Sequence, residues 1–177
     1  RRYIPEIADA TYFGGDGCLG DALTLTSSLE PDTGYLDAYQ GHGSVASPQS
    51  IILTWATVMH GGILVNARGE RFDDETIGYS EYAKRVIDQP GRRAWTVFDR
   101  RIHDACLSFK DYTDLLSTGA VRWADSVEEL AALIAGSTGT AGEEGGEQPD
   151  LATLTQTLRN TLEAARASAA GEAPDQF

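Results

Sequence analysis

The chain has 177 residues, 41% of them hydrophobic, and a formal charge of −13. That apolar content is enough for a packed core and argues against global disorder. The acidic balance argues against nucleic acid and anionic membrane surfaces as partners, because both need clustered Lys and Arg. No apolar run approaches the roughly 20 residues that cross a bilayer, and no signal peptide is seen, so no membrane-spanning segment is expected. Cys18 and Cys106 lack CxxC or metal-finger spacing. Two isolated cysteines fit a reducing, cytoplasmic setting in which each is a small buried residue. The chain opens Arg1-Arg2-Tyr3 and its sole methionine is Met59, which is the pattern expected of a domain cut from a longer protein.

Residues 1–19 read as irregular and glycine-rich, with "FGGDGCLG" ending at Gly20. The following "DALTLTSSLE" predicts a short helix with Asp21 in its first turn, where an acid suits the helix dipole. Tyr35–Gln40 alternates like a strand, and "GHGS" (Gly41–Ser44) breaks it. Ser50–His60 fits either helix or extended chain. Ile63–Val65 predicts a strand, Asn66–Gly69 a hairpin loop with Gly69 supplying positive φ, and Arg71-Phe72 the return. The acids Asp73, Asp74 and Glu75 read as a solvated hairpin exit, with Glu75 a candidate pocket residue.

Ser80–Gln89 is helical in pattern and stopped by Pro90-Gly91. Arg93–Asp99 reads as a strand, followed by one or two short helices to about Ser117 and a short extended piece at Val121–Ala124. Ser126 and Glu129 make a capping box for the next helix. Gly136–Pro149 is low-complexity and acidic, predicting a surface loop. Asp150 caps a last helix with an apolar stripe at Leu151, Leu154, Leu158 and Leu162, and a polar, frayed tail follows from Ala170. The order is mixed α+β, without repeats.

Chemistry-bearing motifs are sparse. "GGDGCLG" lacks the strand context and spacing of a dinucleotide loop, and no GxSxG elbow, P-loop or EF-hand is present. His42, His60 and His103 are scattered without metal-ligand spacing, so no metal site is expected. His103 reads as a surface residue and His60 as a segment end. His42 stands apart because it lies at a predicted strand end between two glycines, where binding groups collect.

Three segments, "GDAL" at Gly20, "YQGHGS" at Tyr39 and "GGILVNARGERF" at Gly61, resemble in their order the flavoproteins of the fumarate reductase and succinate dehydrogenase superfamily. "YSEYAKRVIDQPGRRAWTVFD" (Tyr79–Asp99) is similar to its tricarballylate-dehydrogenase-like branch. The resemblance implies an α+β capping, or substrate, domain of a fumarate-reductase-like flavoprotein with a short flanking strip of the FAD domain. The strip would be residues 1–44, without GxGxxG, the cap 45–170 and a flexible tail 171–177.

It further implies FAD in the full-length parent, and as partners a small carboxylate substrate and the rest of the FAD domain. The reaction implied is oxidation or reduction of a C–C bond, with the fragment inactive alone. Residue by residue, Asp21 matches an acid contacting FAD, His42 a histidine gripping a substrate carboxylate, and Thr54 a threonine holding substrate. Where the family carries Thr-Glu-Ala-Val-Arg, this chain reads Thr54-Trp55-Ala56-Thr57-Val58. The relay Glu is thus Trp55 and its partner Arg is Val58, while the proton-donating arginine falls at Tyr79. Tyr79 is the acid–base-capable residue at that vacated place and the expected catalytic group. The missing relay also leaves open a non-catalytic binding or interaction module that retains the cap fold.

Overall fold

The computed structural model describes residues 3–8, 10–138 and 149–177. The chain forms two compact units, Arg1–Gln40 and Gly41–Phe177. The first carries a 3-10 turn at Pro5–Ile7, helix α1 (Asp21–Leu25) and a second 3-10 turn at Ser27–Leu29. The strand expected over Tyr35–Gln40 does not form. Ala38 N–H donates to the Tyr35 carbonyl at 2.9 Å, and Tyr35 takes a left-handed φ of 56°. Alternation becomes a strand only with a ladder partner, and among the described residues no strand is laddered to this segment. Cys18 is exposed, against expectation, whereas Cys106 is buried.

The second unit is α+β. The ambiguous segment before the central strand divides: β2 (Ile51–Ile52) pairs with β1 (Val45–Ala46), and α2 (Ala56–Met59) follows. β-Branched Ile51 and Ile52 favour the extended half. Strand β3 (Ile63–Val65) pairs antiparallel with β4 (Trp95–Val97), in the register Ile63 to Val97, Leu64 to Thr96 and Val65 to Trp95. Between them lies α3 (Tyr79–Ile87), and after them α4 (Arg100–Cys106), α5 (Lys110–Ser117), α6 (Val127–Thr138) and α7 (Leu151–Ala169).

The expected hairpin return is reduced to one bridge, Val65 to Arg71. Buried Asn66 organises the turn instead. Its side-chain oxygen accepts from the Arg68 and Glu70 amides, and its NH₂ donates to Glu70 and Gln89. Gly69, at φ +78°, passes so close to α7 that a Cβ would lie 2.8 Å from Leu158 Cγ. Thr161 Oγ1 donates to the Gly69 carbonyl at 2.8 Å, holding the turn to the helix.

Ile63, Val65, Trp95 and Val97 pack with Val127, Leu130, Ala131, Ile134, Leu154 and Leu158, so α6 and α7 cover one face of the β3–β4 sheet. Of the predicted stripe, Leu154 and Leu158 are buried, but Leu151 is exposed because it opens the helix beyond the sheet's reach. Asp150 caps α7 through the Thr153 amide at 3.0 Å. Ser126 Oγ accepts from the Glu129 amide, and Glu129 reaches back to the Asp125 amide. Helix α6 runs into the predicted Gly136–Pro149 loop as far as Thr138; positions 139–148 of that loop lie outside the described residues.

The acid run is not a solvated exit. Glu75 is 4% exposed and accepts from the Leu64 amide at 2.9 Å and from Arg71 Nη2 at 2.6 Å. Its carboxylate ties the return segment to the sheet, so it is a structural residue rather than a pocket wall. Asp74 caps the 3-10 turn Glu75–Ile77, and Asp73 pairs with Arg85. The segment 171–177, expected to be flexible, is fastened to the same arginine. Asp175 pairs with Arg71 at 2.6 Å, and the Arg71 guanidinium lies 5.4 Å from the Phe177 ring centre.

A second cluster joins Ile102, Cys106 and Tyr112 to Leu53, Ala56, Phe98, Leu116 and Val121. His103, half-buried rather than fully on the surface, adjoins it, its Nδ1 2.7 Å from Tyr112 Oη. Burial, with Cys106 and Asp104 adding to it, pushes the Tyr112 phenol up to about 12. Among the described residues no helix is long and apolar enough to cross a membrane.

Candidate functional site

Leu64 and Thr96 occupy the sheet face opposite the α6–α7 core, and Ser44 Oγ reaches Thr96 Oγ1 at 3.3 Å. That bond sets the Gly41–Ser44 loop beside the sheet. Gly43 fixes the loop at the start of α3, its amide donating to the Tyr79 carbonyl at 2.8 Å. A Cβ on Gly43 would lie 3.1 Å from Tyr82 Cβ and 3.3 Å from both Trp55 Cζ3 and the Tyr79 carbonyl. Glycine is therefore the residue that lets the loop close onto these rings.

The loop delivers His42 onto Tyr79. Their rings stack at 4.9 Å between centres with 24° between planes. Trp55 meets His42 edge-on at 6.3 Å and Tyr79 at 6.5 Å. Tyr82 and Phe72 continue the cluster behind Trp55, at 5.7 Å and then 5.3 Å. Tyr79 remains 37% exposed, so the cluster has a solvent-facing side.

The Ser44 amide donates to His42 Nδ1 at 3.1 Å. This assigns the imidazole proton to Nε2, leaving Nε2–H as a donor. Burial pushes the imidazole below its ordinary value, and the pull of Asp111 opposes it. The sign of the consequence follows directly. An unfolded chain takes up this proton near pH ~6.5, where the folded chain does not. The His42 contribution to stability is thus present above about pH 6.5 and is lost as pH falls toward the folded value. NMR titration of the His42 ring should give a midpoint below about 6.5, and a higher midpoint contradicts the assignment.

Tyr82 is fully buried behind Trp55. Burial, helped by Glu75 and Asp73, holds its phenol far above the ordinary range, and its hydroxyl donates to the Asp73 carbonyl at 3.3 Å.

Thr54 opens α2: its carbonyl accepts from the Thr57 amide at 3.2 Å and its Oγ1 from the Ala56 amide at 3.4 Å. It adjoins the cluster through Trp55 and has no hydrogen bond to His42 among the described residues. Asp21 lies in the first unit, exposed in the first turn of α1 behind Gly20 at φ +82°. His60 ends α2, its carbonyl accepting from Arg101. Among the described residues no group of three or more His, Cys, Asp or Glu is placed to hold a metal.

Sequence reasoning singled out His42 and Tyr79, which the fold brings together, but passed over Tyr82 and Phe72. Tyr79 and Tyr82 are three apart on α3, a spacing that puts both on one helix face; that was the available signal.

An α+β unit with this order of elements is the fold of a segment of the fumarate-reductase flavoproteins. The chain matches the open conformation of a flavocytochrome c3 fumarate reductase with a TM-score of 0.65 and 22% identity, covering 98% of this chain and 28% of that one. Probable fumarate reductase Ifc3 of Shewanella frigidimarina is 25% identical over 131 residues, 73% of this chain and 21% of that protein. Fumarate reductase (cytochrome) of the same organism is 25% identical over 64% of this chain and 19% of its own length. The NADH:fumarate oxidoreductase of Klebsiella pneumoniae is 25% identical over 73% of this chain and 14% of its own. The chain thus spans about a fifth or less of these relatives. No protein-family model matches it.

Proposed function

We propose that this chain is the substrate-capping domain of an FAD-dependent oxidoreductase acting on a C–C bond of a small carboxylate-type substrate. The carrying observation is the packing of His42 on Tyr79 in a fold shared with fumarate reductases. Residues 45–170 form the cap in this reading and residues 1–44 a strip of the FAD domain, with the rest of that domain as partner. The motif over Tyr79–Asp99 favours the tricarballylate-dehydrogenase-like branch. Two unpaired cysteines suit a cytoplasmic setting.

In this reading Asp21 and the glycines before it would face one edge of FAD. Exposed Asp21 offers a carboxylate acceptor to a hydroxyl-bearing ligand, and a Cβ on Gly17 or Gly20 would meet nothing within 4 Å, leaving room for close approach. When bound, the flavin supplies hydride exchange at one carbon of the substrate. The chain's own residues do the remainder. His42 Nε2–H donates to a substrate oxygen and orients it. Tyr79 Oη gives a proton to the neighbouring carbon in reduction and takes it in oxidation, so that C=C plus hydride plus proton balances CH–CH. Trp55 and the Tyr82 ring exclude water from that side. Thr54 sets Trp55 through the first turn of α2.

The full-length protein should purify with flavin at one per chain, while the 177-residue chain alone should be colourless and inactive. A full-length protein without flavin overturns the reading. It would favour the second one, a non-catalytic interaction module, which Trp55 and Val58 support by occupying the places of a charged relay.

A further inference from the structure

Ser44 links His42 to the sheet of the second unit. It is 6% exposed, and each of its three polar groups is engaged. Its amide donates to His42 Nδ1 at 3.1 Å, its carbonyl accepts from the Leu53 amide at 3.1 Å, and its Oγ lies 3.3 Å from Thr96 Oγ1. The first two contacts use the backbone of Ser44 and do not depend on its side chain. The third is made by two hydroxyls 52 residues apart, and only these side chains supply it.

Thr96 is a firm anchor for that contact. It sits in the middle of β4 opposite Leu64, which is 1% exposed and whose amide is held by the Glu75 carboxylate. The loop therefore has an attachment on each side of the stacked rings, Gly43 to the start of α3 and Ser44 to β4. A neutral imidazole whose Nδ1 accepts a backbone N–H carries its proton on Nε2, so the stance of Ser44 also sets the tautomer.

We infer that Thr96, acting through Ser44, is a positioning residue that holds the His42 ring on Tyr79 with its proton on Nε2. The use of that proton rests on the oxidoreductase reading, in which Thr96 thereby aims the donor at the substrate oxygen.

The test is nitrogen-15 NMR of the imidazoles in the 177-residue chain, followed through a pH titration. Thr96→Val removes the hydroxyl and keeps a β-branched residue in the strand. A loosened loop admits water to the ring, and burial is what holds the His42 midpoint down. The midpoint should therefore rise toward ~6.5 by about half a pH unit, and the ring nitrogens should move from a single Nε2–H form toward a mixture of tautomers. Thr96→Ser returns the hydroxyl and should return the original titration. Ser44→Ala breaks the same contact from the loop side and should reproduce the Thr96→Val shift. His60 at the end of α2 and His103 beside Tyr112 are internal references, and their titrations should stay in place. An unmoved His42 midpoint in either variant, no recovery in Thr96→Ser, or equal movement of all three imidazoles overturns the inference. The flavin content of the full-length protein is read separately. His42 moving as expected while no flavin is bound defeats the oxidoreductase reading alone, and bound flavin with His42 unmoved defeats the positioning alone.

Discussion

Replacing Arg71 by Ala should destabilise the second unit by about 3–5 kcal/mol, because it strands a buried carboxylate. The Arg71 side chain is 10% exposed and that of Glu75 4%, and the two meet through Nε and Nη2 in a forked contact. Glu75 also holds the Leu64 amide, so an uncompensated charge there loosens β3 itself. Urea unfolding should show the loss as a lower midpoint at unchanged slope. The double replacement Arg71→Met with Glu75→Gln should recover most of it, since it removes both charges of the buried pair while the side-chain carbonyl still accepts from the Leu64 amide. Asp175→Asn touches the exposed arm of the same arginine and should cost no more than about 1 kcal/mol. A loss below about 1 kcal/mol for Arg71→Ala would show that Glu75 is re-solvated rather than buried.

Tyr79→Phe in the full-length protein should lower turnover by about 10²–10⁴-fold, the usual contribution of a positioned acid–base group. Phenylalanine keeps the ring that stacks on His42 and removes only Oη, so substrate affinity should change little. The split separates catalysis from packing: a kcat effect at constant affinity assigns proton transfer to Oη, and a loss confined to affinity assigns Tyr79 to the wall. Turnover left intact would end the acid–base role. Anaerobic stopped-flow reoxidation of the reduced flavin isolates the step.

Much of the element order was legible because its signals are local. The capping residues Ser126 and Asp150, the Pro90-Gly91 stop, the Gly69 turn and the alternation at Ile63–Val65 each act within a few residues, and each formed where expected. The errors were of another kind. Tyr35–Gln40 alternates yet finds no strand to pair with. Glu75 reads as part of an acidic surface run yet is drawn inside by an arginine four residues away and an amide eleven away. His103 reads as a surface residue yet is held by Tyr112 across two helices.

The site divides along the same line. The sequence by itself determined which groups are available: His42 between glycines, Tyr79 after Gly78, and Trp55 after Thr54. Only the tertiary structure decided that Gly43 lets His42 lie flat on Tyr79, that Ser44 leaves its proton on Nε2, and that Tyr82 and Phe72 back the wall. Caps, turns and strand alternation are written in neighbouring residues. Burial, tautomer and ring stacking depend on groups far apart in the chain, and these meet only once the sheet and helices have packed.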